Sequence, residues 1–162
     1  MENVFLLLGS NLGDRYNILS QAENYILERI GVIQKKSSIY ESDPWGFEHR
    51  NAFLNQVLVV KTEKTPESVL RLAQDIEAEL GRIRRSTDEY EGRTIDIDIL
   101  FYNEQVINQK DLTVPHPLLQ DRRFTLQPLV EIAPGMIHPV LKKNMKQLLD
   151  ECPDDQDARK VS

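Results

Sequence analysis

A single cysteine, Cys152, is present in 162 residues, which excludes a disulfide framework and any zinc site built on thiolates. A lone thiol fits a reducing compartment. Long apolar runs are missing as well: the longest early one, residues 4–8, falls far short of the roughly 20 residues that cross a bilayer. The opening Met1-Glu2-Asn3 has no basic stretch of the kind that directs export, so neither secretion nor insertion is expected and the cytoplasm is the expected location. Positive charge is scarce: 20 Lys and Arg stand against 26 Asp and Glu, a formal net charge of −6. A surface of that sign repels phosphate backbones and anionic lipid, which argues against general nucleic-acid or membrane partners. Any anion must be held locally. No glycine-rich phosphate loop is available for the purpose, since neither G-x-x-x-x-G-K-[ST] nor G-x-G-x-x-G occurs. Gly9-Ser10-Asn11-Leu12-Gly13 reads better as a tight strand-to-helix turn.

A hydrophobic content of 40% beside 28% charged residues is that of an ordinary folded chain, and the length suits one core, so residues 1–162 are expected to form a single domain. Residues 4–8 read as a buried strand. Ile18, Leu19, Ala22, Tyr25, Ile26, Leu27 and Ile30 recur at three- and four-residue steps, which predicts a helix over 15–30 with Gly31 as its stop. Residues 32–40 and 54–62 are β-rich. Thr65-Pro66-Glu67 starts a second helix, carrying Val69, Leu70, Leu72, Ala73, Ile76 and Leu80 inward to a stop at Gly81. A strand over 94–102 follows, then Asn103-Glu104 turning into 105–107, a helix over 123–132 and a short one over 144–149. Residues 154–162 read as a frayed tail. The order β-α-β-β-α-β with a C-terminal helical extension is the connectivity of an α+β, ferredoxin-like antiparallel sheet with its helices on one face. That is a statement of fold, not of activity.

The stretch Thr94-Ile95-Asp96-Ile97-Asp98-Ile99 carries the most chemistry. On a strand, Asp96 and Asp98 point the same way, roughly 7 Å apart, and two like charges there call for a cation. That cation is either a neighbouring Lys or Arg on a solvated face or a bound metal. Arg82, Arg84, Arg85 and Arg93 lie just upstream, among acidic Asp88, Glu89 and Glu91. Alone they read as a charged loop. Beside a carboxylate pair they match what a metal–triphosphate complex requires, carboxylates for Mg²⁺ and guanidinium forks for phosphate oxygens. His116, between Pro115 and Pro117, is either structural or a donor to phosphate, while His49 and His138 have no ligand spacing. Arg122-Arg123-Phe124 joins cation to ring. Ser42 to Phe47 and Phe53-Leu54-Asn55 offer rings and amides suited to a flat heterocycle, or to the core.

Taken in order, Gly9-Ser10-Asn11, Phe53-Leu54-Asn55, Glu79-Leu80-Gly81-Arg82-Ile83-Arg84, Arg93-Thr94-Ile95-Asp96-Ile97-Asp98-Ile99-Leu100, Val114-Pro115-His116-Pro117 and Glu131-Ile132-Ala133-Pro134 resemble the 6-hydroxymethyl-7,8-dihydropterin pyrophosphokinases of folate biosynthesis. The resemblance implies an Mg²⁺-dependent transferase that moves the β,γ-pyrophosphoryl group of ATP to the pterin hydroxymethyl oxygen and releases AMP. It implies Asp96 and Asp98 as ligands of two Mg²⁺ ions, and Arg82 and Arg93 as stabilisers of the transition state. Gln74, Glu77, Arg82, Arg84, Arg93, Ile99, Thr113, His116 and Arg122 fall at the family's nucleotide positions. Ser42, Pro44, Trp45, Phe53, Asn55 and Phe124 fall at its pterin positions, with Phe53 and Phe124 on two sides of the ring. Oligomeric state is left open between a monomer and a weak dimer. The sequence departs from the family where Tyr90-Glu91-Gly92-Arg93 stands for the common W-G-P-R, behind acidic Asp88 and Glu89. Two rival functions share the same residues: a metal-dependent phosphohydrolase and a ligand-binding module without turnover.

Overall fold

The structure, a computed structural model, describes residues 1–11, 13–42, 52–82 and 95–162, with the side chain of Arg82 outside that description. The elements run β1 (Glu2–Ser10), α1 (Arg15–Arg29), β2 (Val32–Lys36), β3 (Tyr40–Ser42), β4 (Phe53–Thr62), α2 (Pro66–Arg82), β5 (Asp96–Tyr102), β6 (Ile107–Asn108), β7 (Thr113–Val114), α3 (Arg123–Ile132), α4 (Met145–Asp150) and β8 (Arg159–Lys160). The main sheet has the order β5-β1-β4-β3-β8, with β2 also pairing β4, and every pairing in it is antiparallel. This is the expected ferredoxin-like α+β arrangement, extended at one edge.

β1 reads as an unbroken apolar run because both of its faces are covered. Val4, Leu6 and Leu8 pack with Leu54, Leu58, Ile97 and Ile99 beneath α1 and α2. Phe5 and Leu7 point the other way, to Val57, Val59, Phe101 and the α3–α4 residues Leu126, Leu129, Met145 and Leu148. The helices therefore do not all lie on one face. α1 and α2 do, as the split βαβ pattern requires, and the C-terminal extension closes the opposite face, which an isolated ferredoxin-like unit would expose. Local chemistry sets the helix starts: the Asn17 N–H donates to Asp14 Oδ1 at 3.2 Å, and the Ser68 N–H to Thr65 Oγ1 at 3.1 Å.

Four expectations change. Residues 32–40 do not form one strand; β2 and β3 both pair β4, and between them Ser37 bonds to the β4 residue Val57, its Oγ accepting from the Val57 N–H at 2.9 Å. Gly81 lies inside α2, not after it. Leu27, counted on the apolar stripe of α1, is 56% exposed. The tail read as frayed, 154–162, instead buries Ala158 and pairs β8 with β3. Main-chain bonds from a remote strand are invisible to local composition, and they order this segment.

Gly31 lies hard against the backbone of β4. A Cβ there would stand 2.0 Å from the Lys61 carbonyl oxygen, a backbone atom that cannot swing aside. Gly31→Ala should therefore destabilise the protein by about 1–3 kcal/mol or more. Urea and thermal unfolding would read this; a midpoint equal to wild type would show that the α1–β2 turn opens freely.

Candidate active site

The register of the three central strands assembles the site. Gly9 of β1 pairs with Asn55 of β4 on one side and Asp96 of β5 on the other. The row Asn55–Gly9–Asp96 spans two strand spacings, about 9.6 Å. All three face the α3 side of the sheet, since they share parity with Phe5, Leu7 and Val57. A side chain at position 9 would fill the gap: a Cβ there meets Asn55 Oδ1 at 3.3 Å. Gly9, expected only as the opening of a turn, is thus the floor between an amide and a carboxylate. No sequence pattern signals this, because it depends on pairing across more than forty residues on either side.

Around Asn55 stand the other described pterin candidates. Asn55 is buried, and its Nδ2 donates to Ser42 Oγ at 2.9 Å. Ser42 pairs with Phe53, so both share the Asn55 face. Phe124 opens α3 over that face and packs against the second core, with the Arg122 guanidinium 5.6 Å from its ring centroid. Pro44 and Trp45 lie outside the described residues.

On the other flank, β5 is the edge of the sheet. Asp96 and Asp98 alternate on one face with the buried Ile97 and Ile99 on the other, as the strand pattern predicts. The Ile97 N–H turns outward and donates to Glu77 Oε2 at 2.7 Å. Ile99, two residues on, presents its backbone along the same edge. Leu70, Gln74 and Glu77 follow one another on the stripe of α2 that faces this edge. A cavity of about 210 Å³ lies there, lined by residues including Leu70, Asp98, Ile99, Thr113 and His116. The His116 N–H donates to the Leu100 carbonyl oxygen at 3.0 Å, which pins the 113–117 segment against β5. Leu70 and Leu112 form part of the cavity's walls. Arg84 and Arg93 are outside the described residues, and Arg82 is placed only as the last residue of α2.

Carboxylates dominate this end, yet His116 is not drawn to positive charge. Burial, and the neighbouring Arg122 guanidinium, push its imidazole down from the ordinary 6.5 to about 4. The Leu118 N–H donates to His116 Nδ1 at 3.1 Å, so the neutral ring carries its proton on Nε2. His116 is thus a neutral N–H donor at the cavity wall. Two other motif residues turn out to hold the fold. Glu79 pairs with Arg29 between α2 and α1. Glu131 accepts from the Ser38 N–H and the Tyr40 hydroxyl, and although burial opposes its charge, these bonds hold its carboxyl below the usual range.

A metal would find two carboxylates here. Among the described residues, no group of three or more His, Cys, Asp or Glu is placed to hold one. Asp96 and Asp98 therefore suit an ion that takes its remaining ligands from phosphate oxygens and water, which is the habit of Mg²⁺.

A carboxylate pair on an edge strand, one strand away from an amide and rings suited to a flat polar molecule, is the arrangement expected of a kinase-type transferase. The family model for 7,8-dihydro-6-hydroxymethylpterin-pyrophosphokinase matches residues 5–134, and the chain belongs to that family. A 2-amino-4-hydroxy-6-hydroxymethyldihydropteridine pyrophosphokinase of Aquifex aeolicus is 44% identical over 151 residues, 93% of this chain and 92% of that one. The enzyme of the same name from Bacillus subtilis is 44% identical over 134 residues, 82% of this chain and 79% of its own. Among solved structures, a Plasmodium falciparum HPPK-DHPS chain superposes with a TM-score of 0.73 at 19% identity, covering 93% of this chain and 43% of that one, a likeness of fold.

The depressed His116 pKa carries a sign. Between 6.5 and about 4 the unfolded chain binds a proton that the folded one refuses, so His116 erodes stability as pH falls through that window and not above it. Urea unfolding at pH 7.5 and pH 5 should show a smaller acid loss in His116→Asn than in wild type. An equal loss in both would contradict the buried neutral imidazole.

Proposed function

We propose that the residues flanking Gly9 carry out the reaction of the pyrophosphokinase family in this chain. The β,γ-pyrophosphoryl group of ATP passes to the hydroxymethyl oxygen of 6-hydroxymethyl-7,8-dihydropterin: an oxygen–β-phosphorus bond forms, the bond from that phosphorus to the α,β-bridging oxygen breaks, and AMP departs. The observation that supports this reading is the row Asn55–Gly9–Asp96, which sets an amide beside a carboxylate pair with a residue that has no side chain between them.

In this reading Asp96 and Asp98 hold Mg²⁺, in two ions, which when bound offsets the charge of the triphosphate. Arg82 and Arg93 stabilise the charge that develops during transfer, and Arg84, Arg122 and the neutral Nε2–H of His116 hold phosphate oxygens. The nucleotide base lies along the outer edge of β5 at Ile99, with Gln74 and Thr113 beside it. Glu77 acts indirectly, by holding the Ile97 N–H and so the position of that edge. Asn55 and Ser42 bond the polar rim of the pterin, Phe53 and Phe124 cover its two faces, and Pro44 and Trp45 complete the surround. Fixing both substrates on the two strands that flank β1 in one rigid sheet converts a bimolecular transfer into a positioned one. We further assign the chain to the cytoplasm as one domain; no helix among the described residues is long and apolar enough to cross a membrane.

AMP release should require ATP, Mg²⁺ and the reduced pterin together, and removing the metal with chelator should abolish it reversibly. Phosphate or pyrophosphate released without the pterin would favour the hydrolase. Asp96→Ala and Asp98→Ala should each lower turnover by about 10²-fold or more while the unfolding midpoint stays near wild type, because each removes one of two repelling charges. Unfolding of both variants, or unchanged turnover in both, would remove the metal-site reading, and wild type that binds ligand without producing AMP would leave only a binding module.

A further inference from the structure

Arg15 opens α1 on the face of the sheet opposite Asn55. Its Nη1 donates twice, to Glu41 Oε2 at 3.0 Å and to the Ala52 carbonyl oxygen at 2.7 Å. Glu41 belongs to β3 and Ala52 immediately precedes β4, with residues 43–51 between them in sequence. One guanidinium nitrogen therefore ties together the two chain segments at the end of the β3–β4 pair where Ser42 faces Phe53. β3 has only 3 residues, so its own ladder holds few bonds. The ion pair is largely shielded, with side-chain exposures of 24% for Arg15 and 18% for Glu41, and the Arg15 hydrogen bond keeps the Glu41 carboxyl below its usual range.

A second brace reaches the same carboxylate. Arg159 of β8 donates to the remaining Glu41 oxygen, and β8 pairs Tyr40 with Lys160 and Glu41 with Arg159. The segment carrying β8 also grips α3, where the Ala158 N–H donates to Gln127 Oε1 at 2.8 Å. Glu41 is thus an anchor, held from α1 on one oxygen and from β8 on the other.

We propose that Arg15, acting through Glu41 and Ala52, is a positioning residue for pterin binding: it holds β3 to β4 in the register that sets Ser42 against Asn55 and Phe53. The inference rests on the assignment of those three residues to the pterin. Among the described residues, the hydrogen bonds of Arg15 go to Glu41 and Ala52, whereas the β5 edge is tied to β1 and to Glu77. Its loss should therefore separate the two ligands, which a general loss of stability would not do.

The test is calorimetric titration of wild type, Arg15→Ala and Arg15→Lys with a nonhydrolysable ATP analogue and Mg²⁺, then with the reduced pterin on the nucleotide-loaded protein. Removing the cation from a shielded pair should weaken pterin binding about tenfold in Arg15→Ala, with nucleotide affinity held within about twofold. Arg15→Lys should recover part of the loss, because an ammonium can still donate to both oxygens. Equal weakening of both ligands, or unchanged pterin affinity, would overturn the inference. Should Arg15→Ala fail to fold, Arg15→Lys and Glu41→Gln, measured below their unfolding midpoints, decide by the same split. Wild type that binds nucleotide but no pterin would instead remove the assignment of Ser42, Phe53 and Asn55.

Discussion

The register of β4, β1 and β5 is the constraint on which the site depends. Pairing Gly9 with both Asn55 and Asp96 places an amide and a carboxylate on one row of one face, separated by a residue without a side chain. A slip of one residue on either strand would send Asn55 or Asp96 to the face covered by α1 and α2, where Leu54 and Ile97 pack. The core therefore enforces the site: burying Leu54, Leu58, Ile97 and Ile99 on one face leaves Asn55, Asp96 and Asp98 no choice but the other.

Among the described residues, α3 and α4 cover that other face along only part of its length. α3 and α4 bury Phe5, Leu7, Val57 and Val59, but the rows nearer the end of β1 carry Gly9, Asn55 and Asp96 instead of large apolar side chains. The change from packing residues to polar ones along the same strands is what marks the end of the core as the candidate binding face. β3 is held there from both sides, by Glu131 of α3 through Ser38 and Tyr40 and by Arg15 of α1 through Glu41. Short strands with few ladder bonds need such side-chain ties, and here they are charged and partly shielded, which makes them stronger than exposed ion pairs.

Electrostatics explains how an acidic protein manages an anionic co-substrate. With a formal net charge of −6, long-range attraction is not available. In the proposed reading, recognition comes from close donors, among them the guanidinium of Arg122, a His116 ring kept neutral with its proton on Nε2, and backbone groups along the β5 edge. A neutral donor keeps its hydrogen bond across physiological pH, so in that reading the phosphate contact does not depend on a titrating histidine.

Much of the fold was legible from residue order alone. Helix α3 falls on the expected residues, the ends of α1 and the starts of β4 and α2 follow from caps, prolines and apolar spacing, and the alternation Asp96-Ile97-Asp98-Ile99 placed both carboxylates on one face. These features depend on neighbours within a turn or two of chain, and local sterics and hydrogen bonding settle them. What the alternation could not say was which face, or what stands opposite. The roles of Gly9 between two strands, of Glu79 and Glu131 as ties between elements, and of residues 154–162 as an added strand and not a loose end, were decided by contacts between residues tens of positions apart. Such contacts exist only once the sheet has closed, because the hydrogen bonds that define them are made with partners that no stretch of sequence contains by itself.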